Sequence, residues 1–578
     1  MRVFIVVAMI ACTLVSTKSL RLQAERGIRA RGMALFKTNP NRRGRTLVEG
    51  SEDAKTPGTQ SRWATTGSPY KGRPKRGPRP DLDFERSRED PRSSSKSANA
   101  PRPDFRGSRG APRSPSIEKT ANTPTELTTS CLPSIPGIKF GVVLERGKAK
   151  LFQDGNPLIY GGAIASIIGS EGLEAGNEVV VVDHFGNCVG RGVFNPHSQY
   201  RVRMLARFGE KALFNLPLEE LLTERLKSCI SLRSSLGLGV ASKTSEAGHT
   251  DVFRLCNGEG DRMGGLVIDV LGRHIVIQSS AVWCEVHKEA IVAAVQESLQ
   301  QNGDKLFTPK DGWKILWRQA GSRLRQDGYL GEVEEGVVED TLEREEEKYI
   351  VSENGVLYYA NPEEDGQKTG FYADQRENRR LIRSLARGKS VLDTFCYTGG
   401  FSVNAALNGA SSVTCVDSSA PALDAARKNV ELNGLADNDI NVVKADAITF
   451  MCDEADKGNS YDIVICDPPK LAPSRSTLPR AKGKYVKINT SALSLVNDGG
   501  LLLTCTCSGA MTQQPDIFLK MIQESAKNAG VEITVLSTTH AAPDHALHAS
   551  YSEGKYLTAV LCGVSRPQVQ DEDVVADK

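Results

Sequence analysis

The sequence predicts an α/β protein in which a parallel sheet flanked by helices follows a small β-barrel and a β-rich α+β middle module. Three observations lead to this fold class. Apolar runs alternate with helical patterns over residues 350–563, as they do in βαβ units. Over residues 139–212, short apolar runs are separated by turn residues, which is typical of a small barrel and predicts four or five strands. Over residues 213–348, similar runs flank segments with the leucine spacing of a helix.

Composition narrows the class of protein. The chain has 578 residues, which is too long for one core and indicates several domains. Its net charge of +3 excludes a polycation, so any contact with nucleic acid has to be local. The 13 cysteines form no C-x-x-C pair and the 8 histidines are scattered, so we expect reduced thiols and no metal site.

The N-terminal region is predicted to be a targeting leader followed by a disordered tether. Residues 1–19 combine a positive start with a short apolar run, the pattern of a signal peptide, with an uncleaved anchor as the alternative. Residues 20–135 begin as an Arg-rich, acid-poor stretch similar to a transit peptide and continue with Pro, Arg, Ser and Gly. That second part could hold RNA loosely or serve as a solvated linker. Residues 564–578 form a tail.

A signal peptide in front of a transit peptide resembles the bipartite leaders of plastids surrounded by extra membranes. We therefore expect an organelle, a plastid before a mitochondrion, and no stable membrane association once the leader is removed. Reduced cysteines argue against secretion.

Basic residues accompany the predicted barrel and favour a platform for RNA, although a protein-binding module would fit its size and charge equally. They are Arg146, Lys148, Lys150, Arg191, Arg201 and Arg203. The middle module carries no catalytic set, and we expect it to be a structural insert that shapes a cleft.

Acidic residues follow the first three strands of the predicted parallel sheet, at the edge where open sheets bind ligands. The first strand ends in Asp393 and runs into a turn containing Tyr397 and Gly399, where an adenosine-type cofactor can approach the backbone. Asp417 closes the second strand, where a carboxylate can accept both hydroxyls of a ribose. Asp446 follows the third strand and is placed to receive the amine of adenine. No lysine follows the glycines, which excludes a P-loop; a nicotinamide cofactor stays open.

The fourth and fifth strands carry the residues for chemistry. Asp467-Pro-Pro-Lys470 places a stiff carboxylate at a strand end, which favours methyl transfer to a nitrogen of a base or amide. Cys507 lies where the fifth strand gives way to a loop, and a thiolate there can add to carbon 6 of cytosine and activate carbon 5. Cys505 is expected inside the sheet. A small buried thiol is the alternative for Cys507.

From about residue 140 to 562 the chain resembles the RlmI-type family of bacterial large-subunit ribosomal RNA cytosine-5 methyltransferases. That family joins a PUA-type RNA-binding barrel, a β-rich middle domain and a Rossmann-like class I methyltransferase domain. The resemblance lies in GQKTGFYADQRENR (366–379), VLDTFCYTGGFSVNAA (391–406), VTCVDSSAPALDAARKNVELNGL (413–435), DPPKLAPSR (467–475), KYVKINTSAL (484–493) and CTCSGAM (505–511).

The resemblance implies S-adenosylmethionine as the cofactor and large-subunit ribosomal RNA as the partner, with no DNA and with a homodimer as a possibility. It implies Cys507 as the nucleophile and Asp467 as the group that holds cytosine. The implied cofactor-binding residues are Gln375, Arg376, Asp393, Tyr397, Gly399, Asp417, Ser418, Asp446 and Asp467. The implied substrate-binding residues are Pro468, Lys470, Tyr485 and Lys487.

Three positions depart from the family pattern: Cys505 replaces an aromatic residue, Lys470 stands where two-cysteine enzymes carry the second thiol, and Val486 replaces a lysine. The leading hypothesis is formation of 5-methylcytosine in organellar large-subunit ribosomal RNA. One alternative is methylation of an exocyclic amine with Cys507 as a bystander. Another is an RNA-binding assembly factor that keeps the cofactor fold without turnover.

Overall fold

The structure is a computed structural model that describes residues 127–239, 249–302, 305–333, 349–360, 370–436 and 438–567. All described residues belong to one compact unit. The predicted signal peptide, nearly all of the predicted transit and linker region, and most of the predicted tail lie outside the described residues.

The first module is a mixed sheet of six strands, where the sequence predicted four or five. The strands are β1 (Phe140–Leu144), β2 (Leu158–Tyr160), β3 (Ile164–Ile168), β4 (Glu178–Val182), β5 (Cys188–Phe194) and β6 (Tyr200–Arg207), with helix α1 (Ala149–Gln153) after β1. Their order is β2-β6-β5-β4-β1-β3, and only β1 and β4 run parallel. The extra strand arises because a 3-10 turn at Gly161–Ala163 divides one apolar run into β2 and β3.

Part of the basic set assigned to this module is buried. Arg191 and Arg203 form ion pairs with Glu178 and Asp327, respectively, and both guanidinium groups lie inside the protein. These two arginines stabilise the module and its contact with the next one, so they are not available to a ligand. The exposed members of the set are Arg146, Lys148 and Lys150.

The middle module is a four-stranded sheet covered by helices. Its strands are β7 (Val252–Asn257), β8 (Leu266–Leu271), β9 (His274–Ser279) and β10 (Lys314–Gln319), in the order β10-β9-β8-β7, with β10 parallel to β9. Its helices are α2 (Lys211–Phe214), α3 (Leu218–Ser235), α4 (Val282–Val286), α5 (Lys288–Gln301) and α6 (Gly321–Gln326). Leucines of α3 and the apolar face of α5 share one core with this sheet.

A hairpin connects the middle module to the C-terminal one. Strands β11 (Ile350–Glu353) and β12 (Val356–Tyr359) form it. Val351 and Tyr358 of the hairpin belong to a buried cluster that also contains Leu316 of β10 and Val391 of the next sheet. The two modules are therefore joined through a common core.

The C-terminal module is a seven-stranded sheet with helices on both faces. Its strands are β13 (Ser390–Thr394), β14 (Ser412–Asp417), β15 (Ile440–Lys444), β16 (Tyr461–Cys466), β17 (Val496–Thr506), β18 (Glu532–Thr539) and β19 (Thr558–Ser565). Its helices are α7 (Arg376–Leu385), α8 (Gly400–Leu407), α9 (Ala420–Leu432), α10 (Ala447–Asp456), α11 (Leu478–Ser494), α12 (Gly509–Thr512) and α13 (Pro515–Asn528).

The strand order β15-β14-β13-β16-β17-β19-β18 confirms the predicted α/β class, with only β19 antiparallel to its neighbours. Successive residues of one strand face opposite layers, so Val391 and Leu392 of β13 belong to two different buried clusters. Burial on both faces explains why these strands appear in the sequence as continuous apolar runs. Within the described residues, no helix has both the length and the apolarity of a membrane span.

Candidate active site

The turn after β13 contains three residues in the left-handed region of backbone conformation. Phe395, Tyr397 and Gly399 have φ angles of 61°, 51° and 74°. For the two aromatic residues this conformation costs about 1 kcal/mol or more, so neighbouring contacts have to hold it. One such contact is a hydrogen bond of 3.0 Å from the Tyr397 amide to the carboxylate of Asp417. The turn therefore lies at the carboxyl edge of the sheet, where parallel sheets bind ligands.

Asp393 is a fully buried acid at the end of β13. Its Oδ2 accepts hydrogen bonds from the amide and the hydroxyl of Ser402, at 3.2 and 2.6 Å. Burial raises the pKa of Asp393 to about 7, and the negative charges of Asp467 and Asp417 add to this effect. Its second oxygen is buried and finds no hydrogen-bond partner within the described part of the chain. A ligand that brings a donor or a positive charge would satisfy that oxygen.

Asp417 and Asp446 continue the row of acids along the same edge. Asp417 accepts hydrogen bonds from the Tyr397 and Ser419 amides, at 3.0 and 2.9 Å, which fixes its carboxylate against the turn. Asp446 caps α10 by accepting from the Thr449 amide at 3.0 Å, and this bond lowers the pKa of its exposed carboxyl. The structure thus brings together the acids of the predicted cofactor site, and Ser418 lies exposed beside Asp417.

Cys507 and Asp467 lie side by side where β17 and β16 end. The two strands are parallel neighbours, with Cys466 opposite Thr504 in the register. The Sγ of Cys507 lies 4.0 Å from the carbonyl oxygen of Pro468. Both Asp467 and Cys507 are partly exposed. A base that reached the carboxylate would therefore also be near the thiol.

The two neighbouring thiols are in a different environment. Cys505 and Cys466 lie within the sheet with no exposed surface. Burial raises the pKa of Cys466 to about 12 and raises that of Cys505 well above its usual value. A thiol attacks as the thiolate, so burial makes both of them poor nucleophiles. Of these three cysteines, Cys507 is the one with access to solvent.

The segment before α7 contributes one polar contact to this site. It forms a 3-10 turn, Ala373–Gln375. The side-chain amide of Gln375 donates to Oδ2 of Asp467 at 2.8 Å. Arg376, predicted to contact the cofactor, is 2% exposed, and its guanidinium is engaged by Asp544 in a buried ion pair. Contact of Arg376 with a cofactor would require that pair to open.

Tyr485 does not occupy the position that the sequence suggested. It was predicted to bind substrate, but its ring is fully buried and its hydroxyl hydrogen-bonds with Thr506 and Ser508 at 2.8 and 3.1 Å. In this structure it cannot contact a substrate, and it instead supports the two residues that flank Cys507. Of the other predicted substrate residues, Pro468 is buried, whereas Lys470 and Lys487 are exposed.

Three functional candidates were missed in the sequence. Asn378 hydrogen-bonds with Gln375, Thr539 hydrogen-bonds with Asn378, and Asp544 pairs with Arg376. Asn378 could have been found from the sequence. It lies three positions after Gln375 at the start of a helix, and residues with this spacing lie on the same face of a helix. Thr539 and Asp544 are 161 and 168 residues from their partners, and no local pattern reports such contacts.

One group of possible metal ligands occurs among the described residues: Cys229, Cys256 and Asp261, with ligand atoms within 4.8 Å of one another. Both carboxylate oxygens of Asp261 are already engaged. They accept from the guanidinium of Arg233 at 2.8 and 2.7 Å, and one also accepts from the Asn257 amide. An arginine in contact with the carboxylate disfavours a bound cation there.

Comparison with known proteins agrees with this assignment of modules. A family model of S-adenosylmethionine-dependent methyltransferases matches residues 335–545, and one of PUA-like domains matches residues 142–207. Ribosomal RNA large subunit methyltransferase I of Klebsiella pneumoniae (strain 342) is 33% identical over 423 residues, covering 73% of this chain and 98% of the relative. The protein of the same name from Escherichia coli O1:K1 / APEC is 32% identical over 423 residues, covering 73% and 99%.

A solved structure has the same fold. SMU.776, described as a putative methyltransferase complexed with SAH, aligns with a TM-score of 0.58 at 20% identity, covering 73% of this chain and 99% of that one. A structure of a putative SAM-dependent methyltransferase from Streptococcus mutans aligns with a TM-score of 0.57, also at 20% identity. At this identity the likeness concerns the fold alone.

The site fits S-adenosylmethionine, the cofactor of the matching methyltransferase family. The cofactor carries a sulfonium and an ammonium group, and the buried oxygen of Asp393 that finds no partner in the described residues offers an acceptor for positive charge. Asp417 and Asp446 offer further acceptors along the same edge. Thus the predicted cofactor and family are confirmed. The chain joins a PUA-like domain to an S-adenosylmethionine-dependent methyltransferase domain and belongs to the family of ribosomal RNA large subunit methyltransferase I.

Proposed function

We propose that the protein transfers a methyl group to carbon 5 of a cytosine in large-subunit ribosomal RNA, through a covalent adduct with Cys507. One observation carries this proposal: the partly exposed Sγ of Cys507 lies 4.0 Å from the Pro468 carbonyl, beside the carboxylate of Asp467. A thiol and a carboxylate at one strand edge, next to the acids of the cofactor site, suit a base held at its polar edge and attacked at its ring.

The chemistry requires a nucleophile because carbon 5 of cytosine is unreactive by itself. The thiolate of Cys507 forms a bond to carbon 6, and the electron pair of the ring double bond moves toward carbon 5. When bound, S-adenosylmethionine would supply an electrophilic methyl group: carbon 5 would form a bond to it as the methyl–sulfur bond breaks and S-adenosylhomocysteine leaves. Transfer of the carbon-5 proton to water or another base would then restore the double bond and expel the thiolate of Cys507.

Two groups of residues would hold the reactants. Asp393, Asp417 and Asp446 would hold the cofactor, together with the turn at Tyr397 and Gly399. Asp467 would accept a hydrogen bond from the exocyclic amine of the cytosine. The target base has to leave its stack to reach Cys507, which costs a few kcal/mol, and less where the base is already unpaired.

The RNA substrate is inferred from two observations. The relatives that are 33% and 32% identical to the chain over 423 aligned residues are named as large-subunit ribosomal RNA methyltransferases. The chain also carries the PUA-like domain, on which Arg146, Lys148 and Lys150 are exposed. Basic side chains on one module supply the phosphate contacts that RNA binding requires.

The test uses the full chain, labelled S-adenosylmethionine and unmodified bacterial large-subunit ribosomal RNA transcribed in vitro. The product is digested and the labelled nucleoside identified. Cys507→Ala is compared with Cys505→Ala, a matched change two residues away. We expect 5-methylcytosine from the wild type and from Cys505→Ala, and none from Cys507→Ala. A label on an exocyclic amine, with Cys507→Ala still active, would instead establish the amine chemistry. Absence of any label, despite cofactor binding, would point to an assembly factor.

We also propose that the protein acts in an organelle, a plastid before a mitochondrion, on the basis of the leader sequence, which lies outside the described residues. Fusing a fluorescent protein to the C terminus of the full chain tests this. The fusion should colocalise with plastid DNA in a cell that has plastids with extra membranes. A secretory or cytosolic distribution would refute it.

A further inference from the structure

We propose that Asn378 is a positioning residue that fixes Asp467 as a hydrogen-bond acceptor and thereby selects cytosine over uracil. This inference rests on the proposed function, because it concerns how the same carboxylate distinguishes two bases. Asn378 is not one of the residues that the sequence singled out. Among the described residues, its side chain hydrogen-bonds with Gln375 and Thr539, and not with the cofactor acids or Cys507.

Three hydrogen bonds, one of them fully buried and two partly buried, connect Asn378 to the site. Thr539 donates from its hydroxyl to Oδ1 of Asn378 at 2.6 Å. Asn378 donates from its amide nitrogen to Oε1 of Gln375 at 2.5 Å. Gln375 donates from its amide nitrogen to Oδ2 of Asp467 at 2.8 Å. We call Thr539, Asn378 and Gln375 the amide chain.

The two amides of the amide chain are shielded from water, whereas Thr539 at its far end is partly exposed. Gln375 and Asn378 are 4% and 1% exposed. An amide that is turned the wrong way in such a place leaves donors facing donors and acceptors facing acceptors, and water is not there to compensate. The orientation of each amide therefore determines the orientation of the next.

The direction of the amide chain follows from its far end. The hydroxyl of Thr539 on β18 donates to Asn378 at 2.6 Å, because its other possible acceptor, the Ala559 carbonyl, is farther away, at 3.5 Å. Oδ1 of Asn378 is thus occupied, and its amide nitrogen faces Gln375. Gln375 in turn can only present its own amide nitrogen to Asp467. Reversing Gln375 would put its carbonyl against a carboxylate oxygen and its nitrogen against the nitrogen of Asn378.

A carboxylate that is held as an acceptor distinguishes the two pyrimidines. Cytosine presents an amine, a donor, at the ring position where uracil presents a carbonyl oxygen, an acceptor. An acceptor opposite the amine gains a hydrogen bond, whereas an acceptor opposite the carbonyl is repelled. Sites built around such a hydrogen bond reject the analogue that lacks it far more strongly than sites that sense only shape.

The test changes the donor of Asn378 with almost no change of shape. In Asn378→Asp the introduced carboxylate cannot donate to Gln375, so the Gln375 amide nitrogen turns toward it and the Gln375 carbonyl faces Asp467. The full chain is assayed on two transcripts that differ only by cytosine or uracil at the position methylated by the wild type. We expect kcat/KM on cytosine to fall by about tenfold to a hundredfold, as for loss of a charged hydrogen bond, and the ratio of cytosine to uracil methylation to fall at least tenfold.

Two further comparisons separate positioning from loss of structure. Asn302→Asp alters another buried asparagine, in the middle module, whose amide donates to the Ser298 carbonyl, and it should leave the base ratio unchanged. Thr539→Ser keeps the hydroxyl and should retain the wild-type ratio. Thr539→Val removes the hydroxyl and should shift the ratio in the same direction as Asn378→Asp.

The outcomes separate this inference from the proposed function. If the wild type methylates cytosine, and Asn378→Asp and Thr539→Val keep the wild-type ratio of cytosine to uracil, the amide chain does not select the base and the inference is overturned. If the wild type forms no 5-methylcytosine, the proposed function itself fails. Should Asn378→Asp not fold, the Thr539→Val and Thr539→Ser pair decides by the same ratio.

Discussion

Arg376 and Asp544 form a buried ion pair with two hydrogen bonds, Nη2 to Oδ1 at 2.8 Å and Nη1 to Oδ2 at 3.1 Å. Neither residue is more than 2% exposed. Asp544 also accepts from the backbone amide of Arg254, and its own carbonyl accepts from the guanidinium of Arg233, both in the middle module. One acid therefore ties the helix that begins beside the active site to the sheet of the middle module.

Removing this acid should destabilise the protein strongly. Asp544→Asn removes the buried charge that faces Arg376 and leaves its guanidinium with the more exposed carboxylate of Glu377, 3.4 Å away. Breaking a buried pair in this way costs about 3–5 kcal/mol. Urea unfolding of the full chain at pH 7 measures the loss. Asp424→Asn is the matched control, because its partner Arg427 and the carboxylate are exposed, and it should cost about 1 kcal/mol or less. Equal losses for the two variants would contradict the structural role of Asp544.

The same pair predicts sensitivity to acid. Burial opposes ionisation of Asp544, but the hydrogen bond and charge of His545 and the charge of Arg376 outweigh it and hold the pKa far below its usual range. Since the folded pKa is depressed, the stability from this group is present above about pH 4 and is lost as the pH falls below that value. The difference in unfolding free energy between wild type and Asp544→Asn should shrink between about pH 5 and pH 2. A constant difference over that range would refute this.

A close approach between the modules predicts the effect of adding one methyl group. A Cβ on Gly260 would lie 1.9 Å from the backbone carbonyl oxygen of Ala546, whereas a Cβ on Gly209 would meet nothing within 4 Å. Gly260→Ala must therefore push the loop after Asp544 away from the middle module, at a cost of about 1–3 kcal/mol or more. Gly209→Ala is the control and should unfold like the wild type. Thermal and urea unfolding check both variants.

The sheet of the C-terminal module could be predicted from the sequence because a strand that is buried on both faces appears as a continuous apolar run. The ligand-binding edge of the sheet could be predicted as well, because an acidic residue stands at the end of such a run. Asp393 and Asp417 are of this kind. The partners of Arg376 and the burial of Tyr485 could not be predicted, since both depend on residues far away in the chain. Arg191 is a similar case: its charge suggested a surface role, and only the fold shows that Glu178 neutralises it inside the protein.

The buried hydroxyl of Tyr485 predicts a change in turnover without a change in RNA binding. In Tyr485→Phe the hydroxyls of Thr506 and Ser508 lose a shared partner, which costs about 1 kcal/mol of stability for each lost bond. Because these two residues flank Cys507, we expect kcat to fall severalfold while KM for RNA stays within about twofold, as expected for a group without ground-state contact to the substrate. Steady-state kinetics on the transcript measure both constants. A raised KM with unchanged kcat would restore Tyr485 as a substrate-binding residue.

The raised pKa of Asp393, about 7, links the stability of the cofactor-free protein to pH. An aspartate in the unfolded chain titrates near pH 4, so between about pH 4 and pH 7 the folded protein holds a proton that the unfolded chain has released. The unfolding free energy therefore falls as the pH rises through this window. At pH 8 the buried charge costs on the order of 4 kcal/mol when no ligand balances it.

Asp393→Asn should remove this cost and also remove the acceptor for the cofactor. Without cofactor, we expect Asp393→Asn to be more stable than the wild type at pH 8 and similar to it near pH 4. The control is Asp453→Asn, which changes an exposed aspartate on α10 and should match the wild type at both pH values. The affinity of the wild type for S-adenosylmethionine should rise by at most about tenfold between pH 6 and pH 7 and should stay constant above pH 7. The reason is that the bound cation favours the ionised form of Asp393. Calorimetric titration at several pH values measures this, and pH-independent binding to the wild type would show that the cofactor does not balance the charge of Asp393.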